Sequence, residues 1–160
     1  MITRRRAAKT SAGILLYRHS TNGIEVFLVH PGGPFFRNKD EGAWTIPKGE
    51  ALPEEDLLSR AQTEFEEELG IRLAAEWIPL GSVKQKGGKT VHAWAFESDL
   101  PAGFELKSNT FEIEWPPRSG KRQKFPEIDQ AVFFLEELAA KKINPAQALF
   151  LSRLRETLGD

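Results

Sequence analysis

The chain has 160 residues, a length that fits one domain with a sizeable hydrophobic core. Its net charge of −1 gives no overall field to attract nucleic acid or an acidic membrane surface, and 40% hydrophobic residues is ordinary for a globular protein. Because there is no cysteine, disulfides, thiolate nucleophiles and cysteine-ligated metal centres are excluded. We therefore expect a cytoplasmic protein without membrane or specific nucleic-acid partners.

The N-terminus combines a basic start with a short apolar run. The run at residues 12–17 is too short for a secretion signal and far too short to span a bilayer. Residues 1–9 are therefore predicted to form a flexible basic tail, and residues 10–160 a single domain.

A β-hairpin is predicted to open the domain. Two apolar segments, residues 11–17 and 24–30, flank a turn that contains Asn22-Gly23, a strong hairpin signal. The following loop to Gly42 carries aromatic and basic side chains. Such a loop either folds back on its own aromatic residues or contacts a ligand, and the sequence leaves both open. Residues 43–46 are predicted to form a short strand.

A helix is predicted from about Glu55 to Leu69. Pro53 suits a first helical turn, and Gly70 suits the position just past the helix end. At about 100° per residue, one face of this helix is apolar. Its apolar stripe consists of Leu58, Ala61, Phe65 and Leu69.

Two further segments, residues 77–85 and 89–97, flank Lys86-Gly87-Gly88 and are predicted to form a second hairpin. Residues 104–114 are predicted to be partly extended. The next segment, residues 115–124, contains two prolines and four cations, and proline excludes it from the interior of a sheet.

The C-terminal part is predicted to hold a last strand at residues 131–135 and a short helix at 136–141. Asn144-Pro145 then opens a final helix that Gly159 ends. Because strands and helices alternate along the chain, the sequence predicts a mixed α/β domain with helices covering a sheet.

Acidic side chains are concentrated in residues 49–71, which hold eight carboxylates. Like charges at helical spacing repel each other by a few tenths of a kcal/mol per pair. A divalent cation, a hard ion that prefers oxygen ligands, would make this crowding tolerable, whereas the alternative is a solvated acidic face. Glu64, Glu67 and Glu68 lie on one flank of the helix, and Glu66 is predicted to be solvated.

This stretch resembles the Nudix box. The box pattern is glycine, five residues, glutamate, seven residues, Arg-Glu, an apolar residue, any residue, Glu-Glu, any residue, glycine and an apolar residue. The positions that match in this chain are Gly49, Glu55, Glu64, Phe65, Glu67, Glu68, Gly70 and Ile71. The resemblance implies a MutT-like hydrolase with an α/β/α sandwich whose central sheet is mixed, largely antiparallel and flanked by helices.

The resemblance also implies a cofactor and its ligands. Mg²⁺ is the expected ion, with Mn²⁺ as an alternative. Glu64 and Glu68 would be its principal ligands, with Glu67 and the backbone carbonyl of Gly49 beside them, and Glu55 would be a partial or supporting ligand. The general base would be Glu64 or a residue on a distant loop. The distant candidates are Glu112 and Glu114, ranked first because they precede the proline-containing loop, and then Glu127.

The chain departs from the box at one position. Thr63 stands where the family has an arginine that orients the box carboxylates. Arg60 lies one turn earlier on the same side as Glu64 and would replace that arginine, or it is simply a weak surface partner.

Several residues are predicted to contact the substrate. Lys48 adjoins the box, and the basic residues of the proline-containing loop are either a phosphate clamp or a solvated surface. Aromatic residues are predicted either to stack on a base or, for at least two of them, to belong to the core. The basic residues are Arg118, Lys121, Arg122 and Lys124, and the aromatic residues are Phe35, Phe36, Trp44 and Trp115.

Together these features predict a metal-dependent hydrolase of a phosphoanhydride in a nucleoside diphosphate linked to another group. The sequence slightly favours nucleoside or dinucleoside polyphosphates over ADP-ribose and sugar nucleotides. The alternative is a nucleotide-sensing module of the same fold with weak turnover. The sequence does not decide between a monomer and a homodimer.

Overall fold

The computed structural model describes residues 9–71 and 76–159. The predicted basic tail, apart from Lys9, lies outside this range. The strands are β1 Thr10–Ser20, β2 Gly23–Pro31, β3 Lys48–Ala51, β4 Ile78–Lys84, β5 Thr90–Glu97, β6 Thr110–Glu114, β7 Arg122–Pro126 and β8 Ile128–Leu135. The helices are α1 Leu57–Leu69, α2 Glu136–Lys142 and α3 Ala148–Leu158.

Six strands form the central sheet, in the order β4-β5-β1-β2-β8, with β3 also paired to β1. The β1–β5 pair is parallel, and the other pairs in this sheet are antiparallel. This confirms the predicted mixed, largely antiparallel sheet. The hairpins predicted at Asn22-Gly23 and at Lys86-Gly87-Gly88 are also confirmed, because β1 pairs with β2 and β4 with β5.

Each face of the sheet carries its own hydrophobic core. On one face, α1 packs against β1, β3 and β5, and its Ala61, Phe65 and Leu69 belong to the core. On the other face, Ala139 of α2 and Leu154 of α3 complete the core. Burying apolar surface on both faces explains why the central strands have almost continuous buried runs rather than a strict alternation. The layers are those of an α/β/α sandwich.

The helix α1 begins two residues later than predicted. Asp56 is its N-cap, with a side-chain oxygen that accepts a hydrogen bond from the Ser59 backbone N–H at 3.0 Å, so Pro53 precedes the helix. A side-chain cap satisfies an N–H group that has no partner in the first turn, and it therefore decides where the helix starts. Gly70 adopts the left-handed conformation at the C-terminal end, as predicted.

The strand predicted at residues 43–46 is wrong. Trp44 and Thr45 make single bridges, to Ile143 and Val29 respectively, and the regular strand is β3, immediately after Pro47. The apolar residues 43–46 favoured a strand at that position. The residues that pair with β1 are the ones around Gly49, which follow them in the chain.

A hairpin that the sequence did not predict joins β6 and β7 outside the central sheet. Residues 122–124 were assigned to a loop because of the nearby prolines, yet those prolines lie in the turn between the two strands. The C-terminal helix also differs slightly, since Asn144 caps the short 3₁₀ turn Pro145–Gln147 that leads into α3. In the described part of the chain, no helix is long and apolar enough to cross a membrane.

Candidate active site

The carboxylate of Glu64 lies directly against the backbone of β3. A Cβ atom built on Gly49 would lie 2.0 Å from Glu64 Cδ and 2.4 Å from its Oε2, which is far inside van der Waals contact. Gly49 is paired with Ala12 of β1, so its position is fixed by the sheet. Glycine at this position therefore leaves room for the Glu64 carboxylate against the strand, a role that glycine plays where backbone closely approaches another group.

Glu68 is a buried carboxylate without a hydrogen-bond partner for one oxygen. Its exposed fraction is 7%, and Oε2 has no donor within hydrogen-bond distance among the described residues. Burial, reinforced by the negative charges of Glu64 and Glu127, raises the pKa of Glu68 to about 8, while Lys48 opposes the shift. Such a group is costly unless it is protonated or meets a cation.

The other glutamates of the cluster are less buried. Burial also raises the pKa of Glu64, with Arg60 acting against the shift and Glu67 adding to it. Glu67 and Glu66 are both exposed, which agrees with the expectation for Glu66. The negative charge of Glu67 contributes to the raised pKa of both Glu64 and Glu68, so these three glutamates of α1 influence one another.

A pocket of about 190 Å³ opens beside Glu68. Lys48 and Glu127 enter it from other segments, so one cation and two carboxylates share the space. Burial, followed by repulsion from Lys89, lowers the pKa of Lys48, and the carboxylates of Glu68 and Glu50 oppose this. The pocket is lined by Val29, Pro31, Thr45, Ile46, Lys48, Glu68, Glu127 and Ile128.

These residues fit a hard divalent cation. Within residues 9–71 and 76–159 no group of three acidic or histidine side chains is already arranged as a complete ligand set. The donors are nevertheless carboxylate oxygens, the type that Mg²⁺ prefers, and Glu68 Oε2 is buried without a donor. Glu64, Glu67, Glu68 and the Gly49 backbone remain the residues predicted to hold such an ion.

Arg60 connects two acidic residues of the box. Its Nε and Nη2 donate to Glu55 Oε2 at 2.8 and 2.6 Å, and its Nη1 donates to Glu64 Oε1 at 3.1 Å. Glu55 Oε1 in turn accepts from the Leu52 backbone N–H at 2.8 Å. Thr63, at the position of the family arginine, is exposed and lines a separate groove beside Trp77.

Of the three distant candidates for the general base, Glu127 is the one that shares the pocket with Glu68. Glu112 accepts from Arg122 Nε at 3.0 Å, and Glu114 accepts from the Gly120 backbone N–H at 3.0 Å, so both are engaged within the β6–β7 hairpin. The geometry therefore favours Glu127 over the two residues that the sequence ranked first. The sequence ranked Glu112 and Glu114 first because they precede the proline-containing loop, whereas the proximity of Glu127 to Glu68 depends on long-range strand pairing.

The predicted clamp residues lie on the β6–β7 hairpin and are exposed. Arg118 is in the turn with a φ of 63°, and Arg122 is paired with Glu112. Trp115 contacts Phe35 edge to face, with 5.6 Å between ring centroids, while Phe35 remains 62% exposed. This pair leaves aromatic surface beside the loop cations, and Phe36 lies near Lys39 instead.

Trp44 was a candidate for stacking on a base, and the structure corrects this. Its exposed fraction is 4%, its Nε1 donates to Asp40 Oδ1 at 2.8 Å, and its ring packs edge to face on Phe134. The ring is therefore part of the core, as the alternative interpretation held for some of these aromatic residues.

His30, for which the sequence analysis had no functional prediction, is buried in the structure. Its Nε2 donates to the Lys39 carbonyl at 2.6 Å, and its Nδ1 lies 2.7 Å from Asp129 Oδ1. His30 thereby ties the loop after β2 to the start of β8, two residues beyond Glu127. Whether a histidine on a predicted strand is buried or solvated cannot be read from the sequence until the partner strand is known.

Comparisons with known proteins bear on the family and the fold of the chain. The family model described as NUDIX domain matches residues 8–154. The search against curated proteins returned no match to this chain.

Solved structures similar to this chain include an Ap4A hydrolase from C. elegans in a binary complex, with 22% identity and a TM-score of 0.64 over 94% of this chain and 98% of that one. The NUDIX domain of Shewanella oneidensis NrtR complexed with ADP ribose has 14% identity and a TM-score of 0.66, over 97% and 91%. A MutT protein from Methanosarcina mazei has 18% identity and a TM-score of 0.63, over 99% and 100%. At these identities the structures establish a shared fold, and with the family match they show that the chain belongs to the Nudix hydrolase family.

Proposed function

We propose that the protein is a metal-dependent pyrophosphohydrolase that cleaves a phosphoanhydride in a nucleoside diphosphate linked to another group. The observation that carries the proposal is the buried carboxylate of Glu68, whose Oε2 has no donor in the described part of the chain and whose neighbours are Glu64, Glu127 and Lys48. A buried carboxylate in acidic surroundings is a poor structural element but a suitable ligand for a cation.

The residues divide the chemistry between them. When bound, Mg²⁺ would neutralise phosphate oxygens and lower the pKa of an attacking water. Glu64, Glu67, Glu68 and the Gly49 carbonyl would hold the ion, Glu127 would accept the proton of the water, and Lys48 would contact a phosphate. The Phe35–Trp115 pair, of which Phe35 is exposed, would bind the nucleoside, and the cations of the β6–β7 hairpin would bind the distal phosphates.

Nucleoside and dinucleoside polyphosphates are the substrates we favour. The hairpin that carries Arg118 and Lys121 offers several cations, which suits a chain of phosphates better than a single pyrophosphate. The similarity to an Ap4A hydrolase supports the same choice, whereas the similarity to a domain complexed with ADP ribose keeps that nucleotide in the panel.

Glu68→Gln is the variant that tests the proposal, because it keeps the shape of the side chain and removes its charge. Turnover of the best substrate should fall by more than about 100-fold. This loss is larger than the loss expected when a residue that only supports a metal ligand is removed. The panel should contain a nucleoside triphosphate, a dinucleoside tetraphosphate, ADP-ribose and a sugar nucleotide, each assayed with Mg²⁺ and with Mn²⁺.

Glu66→Gln is the matched control, since Glu66 lies on the same helix, is exposed and is outside the cluster. It should leave turnover unchanged, and circular dichroism should show both variants folded. If the wild-type protein binds nucleotides but hydrolyses none of the panel, the proposal fails and the nucleotide-sensing module is supported instead. Equal activity of Glu68→Gln and Glu66→Gln would remove Glu68 from the site.

A further inference from the structure

We infer that Arg60 is a positioning residue that replaces, from one helical turn away, the box arginine missing at Thr63. The inference rests on the proposed function and assigns Arg60 the task of holding Glu64 in the orientation needed to bind the metal. Residue 60 precedes residue 63 by three positions, so the two side chains start close together on the surface of α1.

The hydrogen bonds of Arg60 fix one oxygen of Glu64 and leave the other facing β3. Nη1 of Arg60 donates to Oε1 of Glu64, while Oε2 of Glu64 is the oxygen closest to the Cβ position of Gly49. The guanidinium is itself anchored, because two of its nitrogens bind one oxygen of Glu55. A planar fork that binds carboxylates in this way restricts their rotation, which a lysine ammonium does not do.

Partial burial and several shared hydrogen bonds separate this network from a fully exposed surface pair. The side chains of Arg60, Glu55 and Glu64 are 24%, 26% and 19% exposed. Exposed ion pairs contribute about 0–1 kcal/mol and do not hold a fixed geometry well. The Arg60 network has three charge-assisted hydrogen bonds and is extended by the Leu52 N–H that binds Glu55, so it links α1 to the segment that follows β3.

The helix has room for an arginine at position 63. Thr63 is exposed and lines a groove of about 160 Å³ beside Ser59, Glu66 and Trp77. This permits a relocation experiment in which the guanidinium is removed from position 60 and restored at position 63.

Four variants test the inference: Arg60→Gln, Arg60→Lys, Thr63→Arg and the double variant R60Q/T63R. Arg60→Gln should weaken Mn²⁺ binding by about 10–100-fold, the usual cost of losing a partner that orients a metal ligand, and should lower kcat more than it raises KM. Arg60→Lys should recover little of this because the fork is lost. Thr63→Arg alone should change little, and the double variant should regain most of the affinity.

The readouts are Mn²⁺ affinity from electron paramagnetic resonance, steady-state kinetics and thermal unfolding. Arg155→Gln is the control, because Arg155 pairs with Glu136 at 3.2 Å, away from the box. Unchanged Mn²⁺ affinity in Arg60→Gln would overturn the inference, as would loss of affinity that the double variant does not restore. Absence of Mn²⁺ binding by the wild type would overturn it too, whereas Mn²⁺ binding without turnover would overturn the proposed function alone.

Discussion

Gly49 shows how a single missing side chain shapes the site. A methyl group at this position would overlap the end of the Glu64 side chain, which is flexible, and not a neighbouring backbone. Because Gly49 has no left-handed backbone conformation, alanine can adopt its conformation without strain. The cost of Gly49→Ala should therefore fall on the position of Glu64 and not on the fold.

We predict that Gly49→Ala weakens Mn²⁺ binding and turnover at least about 10-fold, with a small change in melting temperature. Gly13→Ala is the informative contrast, because its methyl group would meet the Pro47 carbonyl oxygen at 2.6 Å and should destabilise the fold by about 1–3 kcal/mol. Metal titrations and thermal unfolding of both variants separate the two effects. Full metal affinity in Gly49→Ala would contradict the idea that a methyl group at this position displaces Glu64.

The general base can be tested at the level of single residues. Glu127→Gln should lower kcat by about 10²–10⁴-fold, the usual contribution of general base catalysis, while Mn²⁺ affinity changes little. Glu114→Gln should have a much smaller effect, since Glu114 binds the Gly120 N–H within its own hairpin. The pH dependence of kcat for the three proteins gives the comparison. A large loss in Glu114→Gln with none in Glu127→Gln would restore the ranking made from the sequence.

At the scale of elements, local patterns predicted α1 and the two hairpins well. The apolar stripe of α1, Gly70 at its end and the Asn22-Gly23 turn each act within a few residues, so their physical causes are visible in the sequence. The start of α1 was misplaced because the choice of cap depends on how the preceding segment is held. Here that segment is held by Leu52 and Glu55, which bond to each other.

The errors concern pairings between distant segments. Strand β3 forms because it pairs with β1. The β6–β7 hairpin consists of two strands that carry many polar side chains. Strands β3 and β7 lack the apolar alternation that marks a strand covered on one face, whereas β6 has it, with Phe111 and Ile113 between polar residues. The position of Glu127 beside Glu68 also depends on long-range strand pairing. For this reason the sequence could not predict it.

On the scale of the whole molecule, the sheet assembles the site from three distant segments. Strand β3 supplies Lys48 and Gly49, α1 supplies the glutamates, and the connection between β7 and β8 supplies Glu127. The box predicted the members of the second segment, since their spacing is local. The burial of Glu68 is a property of the whole assembly, because both the helix and the sheet exclude water from it.

This burial makes the stability of the metal-free protein depend on pH. The pKa of Glu68 is raised from its usual 4.5 to about 8, so the folded protein holds this proton more strongly than the unfolded chain does. The stabilising contribution is complete below about pH 4.5 and is lost as the pH rises through about 8. The metal-free wild type should therefore lose stability between about pH 5 and 8.5, by an amount on the order of a few kcal/mol.

Glu68→Gln should not show this part of the loss, because its amide stays neutral. Denaturant unfolding of both proteins in a chelator, at several values across this pH range, measures the difference directly. Mg²⁺ should then restore the stability of the wild type at high pH. A cation that binds only the folded state increases the free energy of unfolding with the logarithm of its concentration over Kd. The same addition should stabilise Glu68→Gln far less. If the two proteins have parallel pH profiles in chelator, the carboxyl of Glu68 ionises without penalty and the pocket around it is more polar than the packing of α1 on the sheet implies.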